Sequence, residues 1–180
     1  MKLAYVDLCG FRGYQKQLRI EFPDGFTVID GRNGVGKSTI FDAIEFGLTG
    51  TITKYGDATA DRETIADYIW WTGEGPPPDE RYVEIGFHDG NDILRVRRTQ
   101  LSEADPIAMD AVIQHLCDVA TMQKSPLKQL CAASIIRDEH IASLSLDMKE
   151  ADRYALLCDA IGATDADVWI ERGSRLARLA

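Results

Sequence analysis

The sequence predicts an α/β domain organised around a short strand, a glycine-rich loop and a helix. Three observations carry that expectation. The first residues alternate apolar and polar side chains. Residues 31–39 read GRNGVGKST between two apolar runs, and the last third has helical spacing. With 180 residues, 45% hydrophobic and 27% charged, the chain can enclose a packed core.

LAYVDL, residues 3–8, alternates and reads as the first strand. KQLRIEF, 16–22, sets Leu18, Ile20 and Phe22 against Arg19 and Glu21, the pattern of a half-buried strand. Pro23, Asp24 and Gly25 signal a turn, and FTVID, 26–30, is a short β-rich run apolar on both faces. A helix is expected over 37–48, with Thr49 and Gly50 as its stop. Its stripe of Ile40, Ile44 and Leu48 is widened by Phe41 and Phe46 and interrupted only by Asp42 and Glu45, so most of this helix is expected to be buried.

Residues 51–80 are polar and irregular apart from an expected helix at 62–71 and a loop at 73–80. RYVEIGF and ILRVRR flank residues 88–92 as a β-hairpin, with Val83, Ile85 and Phe87 facing the core opposite Leu94 and Val96. A helix is expected over 107–122, a strand over 131–136 (CAASII), and helices over 137–145, 149–161 and 165–179. Gly162 stops the second of these three, and Thr164 caps the third. These elements form one domain, divided into 1–50, 51–100, 101–162 and 163–180, the last being a helix that runs on without a stop signal.

Composition excludes several classes. No apolar run approaches the roughly 18 residues that span a bilayer, and the start at Met1 and Lys2 lacks the apolar core of a signal peptide. Cys9, Cys117, Cys131 and Cys158 are scattered without a C-x-x-C and read as thiols of a reducing cytoplasm. His88, His115 and His140 have no metal-ligand spacing. A net charge of −9 argues against a protein that wraps nucleic acid by itself, so any DNA contact is local, shared or made through a partner.

Gly31, Gly36, Lys37 and Ser38 satisfy G-x-x-x-x-G-K-[ST]. Each residue type has a physical reason. Gly34 and Gly36 let the backbone of Asn33, Gly34, Val35 and Gly36 bend until successive N–H groups converge on phosphate oxygens. The helix N-terminus adds its dipole. Lys37 places a fixed cation at the β- and γ-phosphates, Ser38 offers a hydroxyl to Mg²⁺, and Thr39 is placed for the α-phosphate side. The expected ligand is a nucleoside triphosphate with Mg²⁺. Hydrolysis needs a second acid at the end of an apolar strand, and the sequence holds no convincing copy of that pattern.

The stretch FRGYQKQLRIEFPDGFTVIDGRNGVGKSTIFDAIEFGLTG, 11–50, closely resembles the start of SMC-type ATPases, a group that includes SMC, RecN, RecF and SbcC-like proteins. Asn33, Ala43, Ile44, Leu48 and Gly50 match its pattern, whereas ABC transporter ATPases usually carry serine in place of Asn33 and lack the FRGY element. The hairpin strands and the segment 134–162 continue the resemblance more weakly. It implies the N-terminal lobe of an ABC/SMC-type P-loop head. That lobe would hold an antiparallel β subdomain, a central loop-and-helix unit and C-terminal helices leading toward a coiled coil.

The implied partners are the C-terminal half of the same head, a second head that sandwiches ATP, DNA, and a nuclease or accessory subunit. The family's basic residue after the first strand lies near the phosphates, which implies that role for Arg12; a surface arginine at a turn is the alternative. The family's metal-ordering glutamine is replaced here by the run Ile136, Arg137, Asp138 and Glu139, so Asp138 or Glu139 reaches Mg²⁺ or simply starts a helix. Arg95, Arg97 and Arg98 read either as a phosphate-contacting edge or as a solvated strand face, and Trp70 and Trp71 as a lobe anchor or a stacking platform. The implied function is ATP-driven head engagement on DNA in chromosome maintenance, repair or defence against foreign DNA, with Lys37 catalytic and the chain inactive alone. A small P-loop kinase and a regulatory module without turnover are the alternatives.

Overall fold

A computed structural model of the protein describes residues 1–56, 68–117 and 125–137, together with 149 and 154. The chain divides into two compact units, Met1–Leu116 and Cys117–Ala180.

In the first unit, β1 (Lys2–Cys9), β2 (Leu18–Glu21), β3 (Tyr82–Asp89) and β4 (Asp92–Thr99) form one antiparallel sheet in the order β2-β1-β3-β4. The alternation in the sequence sets the register: Val6 pairs with Ile20 and Ile85, and Ile85 pairs with Val96. Val6, Leu8, Val83, Ile85 and Val96 therefore share one buried face. Helix α1 (Lys37–Thr49) packs on it, and Gly47 permits the approach, because a Cβ there would lie 2.4 Å from the Ile85 side chain. Gly50, at φ 73°, ends the helix with its N–H bonded to the Phe46 carbonyl.

The other face is polar yet largely closed. Arg19 covers the Tyr5 ring at 3.5 Å and Arg97 the Tyr82 ring at 3.7 Å. The Tyr5 hydroxyl donates to Glu84 at 2.7 Å and the Tyr82 hydroxyl to Asp7 at 3.0 Å. Burial, reinforced by those carboxylates, pushes both phenols above the usual tyrosine range, Tyr82 the further.

Beyond β1, Phe11 is fully buried among Phe46 and Trp70, with ring centroids 5.7 and 6.1 Å away. Trp70 is thus an anchor of this lobe. Helix α2 (Thr53–Gly56) follows α1, and α3 (Pro106–Leu116) follows β4, its first turn held by Asp105, which accepts from the Ile107 N–H at 3.0 Å. In the second unit, the described helix is α4 (Pro126–Ser134). Among the described residues no helix is long and apolar enough to cross a membrane.

Four expectations change. Residues 26–30 are not a strand; Phe26 is 92% and Val28 71% exposed, because no described strand pairs with them and a lone β run has nothing to complete its ladder. Residues 131–134 belong to α4 rather than to a strand. Pro126 suits a first helical turn, Leu127 and Cys131 bury one turn apart, and Ala132 and Ala133 favour helix. On α1 the burial is partly inverted: Asp42 and Glu45 are buried while Phe41 is 47% exposed. Arg12 pairs with Asp42, and Glu45 accepts from the N–H and hydroxyl of Thr53, so both carboxylates have partners inside. The hairpin loop shrinks to Gly90 and Asn91, with both strands reaching further than expected.

Of the helix expected at 62–71, residues 62–67 lie outside the described residues, 68 and 69 are helical, and Trp70 bridges to Phe11. The end of the 107–122 helix and nearly all of the three C-terminal helices also lie outside them.

Candidate functional site

The glycine loop runs along the surface from the exposed 26–30 segment into α1. Gly34 and Gly36 take φ of 85° and 96°, a left-handed backbone that favours glycine, which is why the loop needs them there. Gly36 is the residue that starts α1, and its carbonyl accepts from the Thr39 N–H at 2.9 Å. Lys37 bends back over the loop. Its ammonium donates to the carbonyls of Gly31 at 2.6 Å and Arg32 at 2.8 Å, which holds a positive charge beside the bared backbone. Asn33, Gly34, Val35 and Ser38 are exposed, whereas Thr39 is buried. The donor set is therefore main-chain N–H groups, one ammonium and the Ser38 hydroxyl at a helix N-terminus, which is chemistry for an anion.

Arg12 lies on the flank of this site. In the turn after β1 it adopts φ 49°, its guanidinium pairs with Asp42 of α1 and donates to the Tyr55 hydroxyl, and Tyr55 stacks on Tyr68 at 5.5 Å. Asp138 and Glu139 lie outside the described residues. Arg98 turns inward: its Nε donates to the Gly47 carbonyl at 2.9 Å, near the C-terminus of α1, and it pairs with Glu103, while burial lowers its pKa. Arg95 is exposed, and Arg97 pairs with Glu80 and Glu84 at 2.9 and 3.2 Å.

The sequence reading missed Asp42, Tyr55 and Tyr14 as neighbours of the site. Only Tyr14 carried a signal, as the aromatic closing FRGY. Among the described residues no cluster of three or more histidines, cysteines or acids could hold a metal ion.

A left-handed glycine loop opening a helix, with its lysine folded over it, defines a phosphate-loop protein. The model of the AAA domain family matches residues 5–149, and the chain belongs to that family. The structural maintenance of chromosomes protein 3 of Dictyostelium discoideum is 29% identical over 174 residues, which are 91% of this chain and 12% of that protein. The chromosome partition protein Smc of Pyrococcus furiosus is 39% identical over 88 residues, 48% of this chain and 7% of that protein. The chain thus spans a small part of the length of these curated relatives. A solved chain from work on the structural biochemistry of ATP-driven dimerization and DNA-stimulated activation of SMC ATPases aligns with a TM-score of 0.61 and 24% identity. It covers 88% of this chain and 99% of that one, a likeness that shows the fold to be that of an SMC-type ATPase head.

Proposed function

We propose that the chain binds ATP–Mg²⁺ as the N-terminal part of an SMC-like ATPase head, whose ATP-driven engagement with a second head acts on DNA. The observation that carries this reading is the loop itself, with left-handed Gly34 and Gly36 opening α1 and the Lys37 ammonium beside them. In it, the amides of residues 33–36 and Lys37 hold the phosphates, Ser38 meets Mg²⁺, and Arg12 approaches from the flank. Mg²⁺ would neutralise charge on the phosphates.

Two further observations support dependence on a C-terminal half of the head. Phe26 and Val28 are almost bare, and Phe41 of α1 is half exposed, so apolar surface is left uncovered around the loop. The sequence also offers no apolar strand ending in paired acids. Chromosome maintenance is the pathway favoured by the relatives' names; repair and defence against foreign DNA are finer alternatives within the same class.

The chain alone is expected to bind ATP–Mg²⁺ and to turn it over negligibly. Adding the C-terminal half of such a head should restore hydrolysis and ATP-dependent dimers. Robust turnover by the chain alone, lost on Lys37→Ala, would contradict the division of labour.

A further inference from the structure

The turn that follows β1 is fixed from several sides. Phe11 and Tyr14 exchange both main-chain hydrogen bonds, at 3.0 and 2.9 Å. Phe11 is fully buried, the Arg12 N–H donates to the Ile69 carbonyl at 2.7 Å, and the Arg12 side chain pairs with Asp42 of α1. Tyr14 is therefore delivered to one place. Its ring lies directly against Gly36, where a Cβ would stand 2.7 Å from the phenol oxygen and 2.9 Å from Cζ. Its hydroxyl donates to the Val35 carbonyl at 3.2 Å.

That hydrogen bond has a consequence for the next amide. In a planar trans peptide the carbonyl of one residue and the N–H of the following residue point in opposite directions. With the Val35 carbonyl held toward Tyr14, the Gly36 N–H is turned away from it. A flip of the same peptide exchanges the two groups, and glycine at 36 makes such a flip sterically cheap. The flipped loop would present a carbonyl oxygen to an incoming anion in place of a donor.

We propose that Tyr14 is a positioning residue of the phosphate loop: its hydroxyl selects the orientation of the Val35-Gly36 peptide in which the Gly36 amide serves as a phosphate donor. This rests on the triphosphate reading above. Tyr14 touches neither phosphate nor metal in it; the residue acts through one peptide group. The ring and the hydroxyl have separable tasks. The ring fills the space over Gly36, and the hydroxyl sets the dipole.

The test compares the full chain, Tyr14→Phe and Tyr14→4-aminophenylalanine, which restores a donor on the same ring. ATP–Mg²⁺ affinity is read by calorimetry, the Gly36 amide by nitrogen–proton correlation spectra with and without ATP–Mg²⁺, and the nucleotide-free fold by melting. Tyr14→Phe should keep its melting temperature, lose about fivefold in affinity, the worth of one neutral hydrogen bond, and show a reduced ATP-induced shift at Gly36. The amino variant should recover both. Unchanged affinity and an unchanged Gly36 shift in Tyr14→Phe, with the parent chain binding ATP, would overturn the role of Tyr14 alone. So would a loss that follows melting temperature and is not rescued. A parent chain that binds no ATP would remove the triphosphate reading, and this inference with it.

Discussion

β1 and residues 26–30 are built from the same kinds of side chain, and the protein treats them in opposite ways. In β1, Tyr5, Val6 and Leu8 are 1% exposed or less, flanked by β2 on one side and β3 on the other. In 26–30, Phe26 and Val28 face outward and no ladder forms. Apolar, β-branched composition states only that a segment can fit a pleated, covered surface; a neighbouring strand decides whether it does. The contrast also separates stability from function. The paired strands hold the first unit together, and the unpaired run leads straight into the glycine loop of the candidate site.

That contrast can be broken by measurement. Leu8→Ala empties a site with no exposure and should cost about 2–5 kcal/mol in denaturant unfolding; a smaller loss would mean that β1 is not the sheet's centre. Gly86→Ala should cost about 1–3 kcal/mol, because the new methyl would lie 2.2 Å from the Tyr5 ring, itself held by Glu84 and Arg19. Unaffected stability would show that this polar face is loosely packed.

Alkaline pH probes the same face. Tyr5 and Tyr82 have folded-state pKa values above their unfolded ones, so both keep their protons in the native state after the unfolded chain has begun to release them. The contribution of these two phenols to stability should be flat below pH about 10 and fall above it, by at most about 1.4 kcal/mol per pH unit for each phenol. Tyr82→Phe should flatten that decline. Val28→Ala should do least, within about 0.5 kcal/mol on the chain alone. A large loss there would mean that 26–30 is packed after all.

Much of this was legible in the sequence because the demands are local. Alternation in 3–8, 16–22 and the hairpin specified which side chains share a face, and Gly34, Gly36 and Gly50 sit where left-handed backbone is needed. What stayed hidden depends on distant partners. Asp42 and Glu45 looked like breaks in an apolar stripe until Arg12 and Thr53 were seen to meet them. Tyr14 reaches a carbonyl 21 positions along the chain, and alternation puts Arg98 on the face of Val96 without revealing that its Nε meets the Gly47 carbonyl of α1. CAASII is too short and too rich in small residues for periodicity to separate strand from helix. Of the candidate site, the left-handed glycines and the start of α1 were readable, while the side chains that support them were not.

The most direct test of the central claim is a calorimetric titration of the chain with ATP–Mg²⁺, repeated on Lys37→Ala and accompanied by melting of both proteins. Saturable one-to-one binding by the parent chain is expected, with an affinity lower by about 10- to 100-fold in the variant, the loss of a charge-assisted contact, and melting unchanged. Equal affinity in both proteins, or no binding by a folded parent chain, would contradict it.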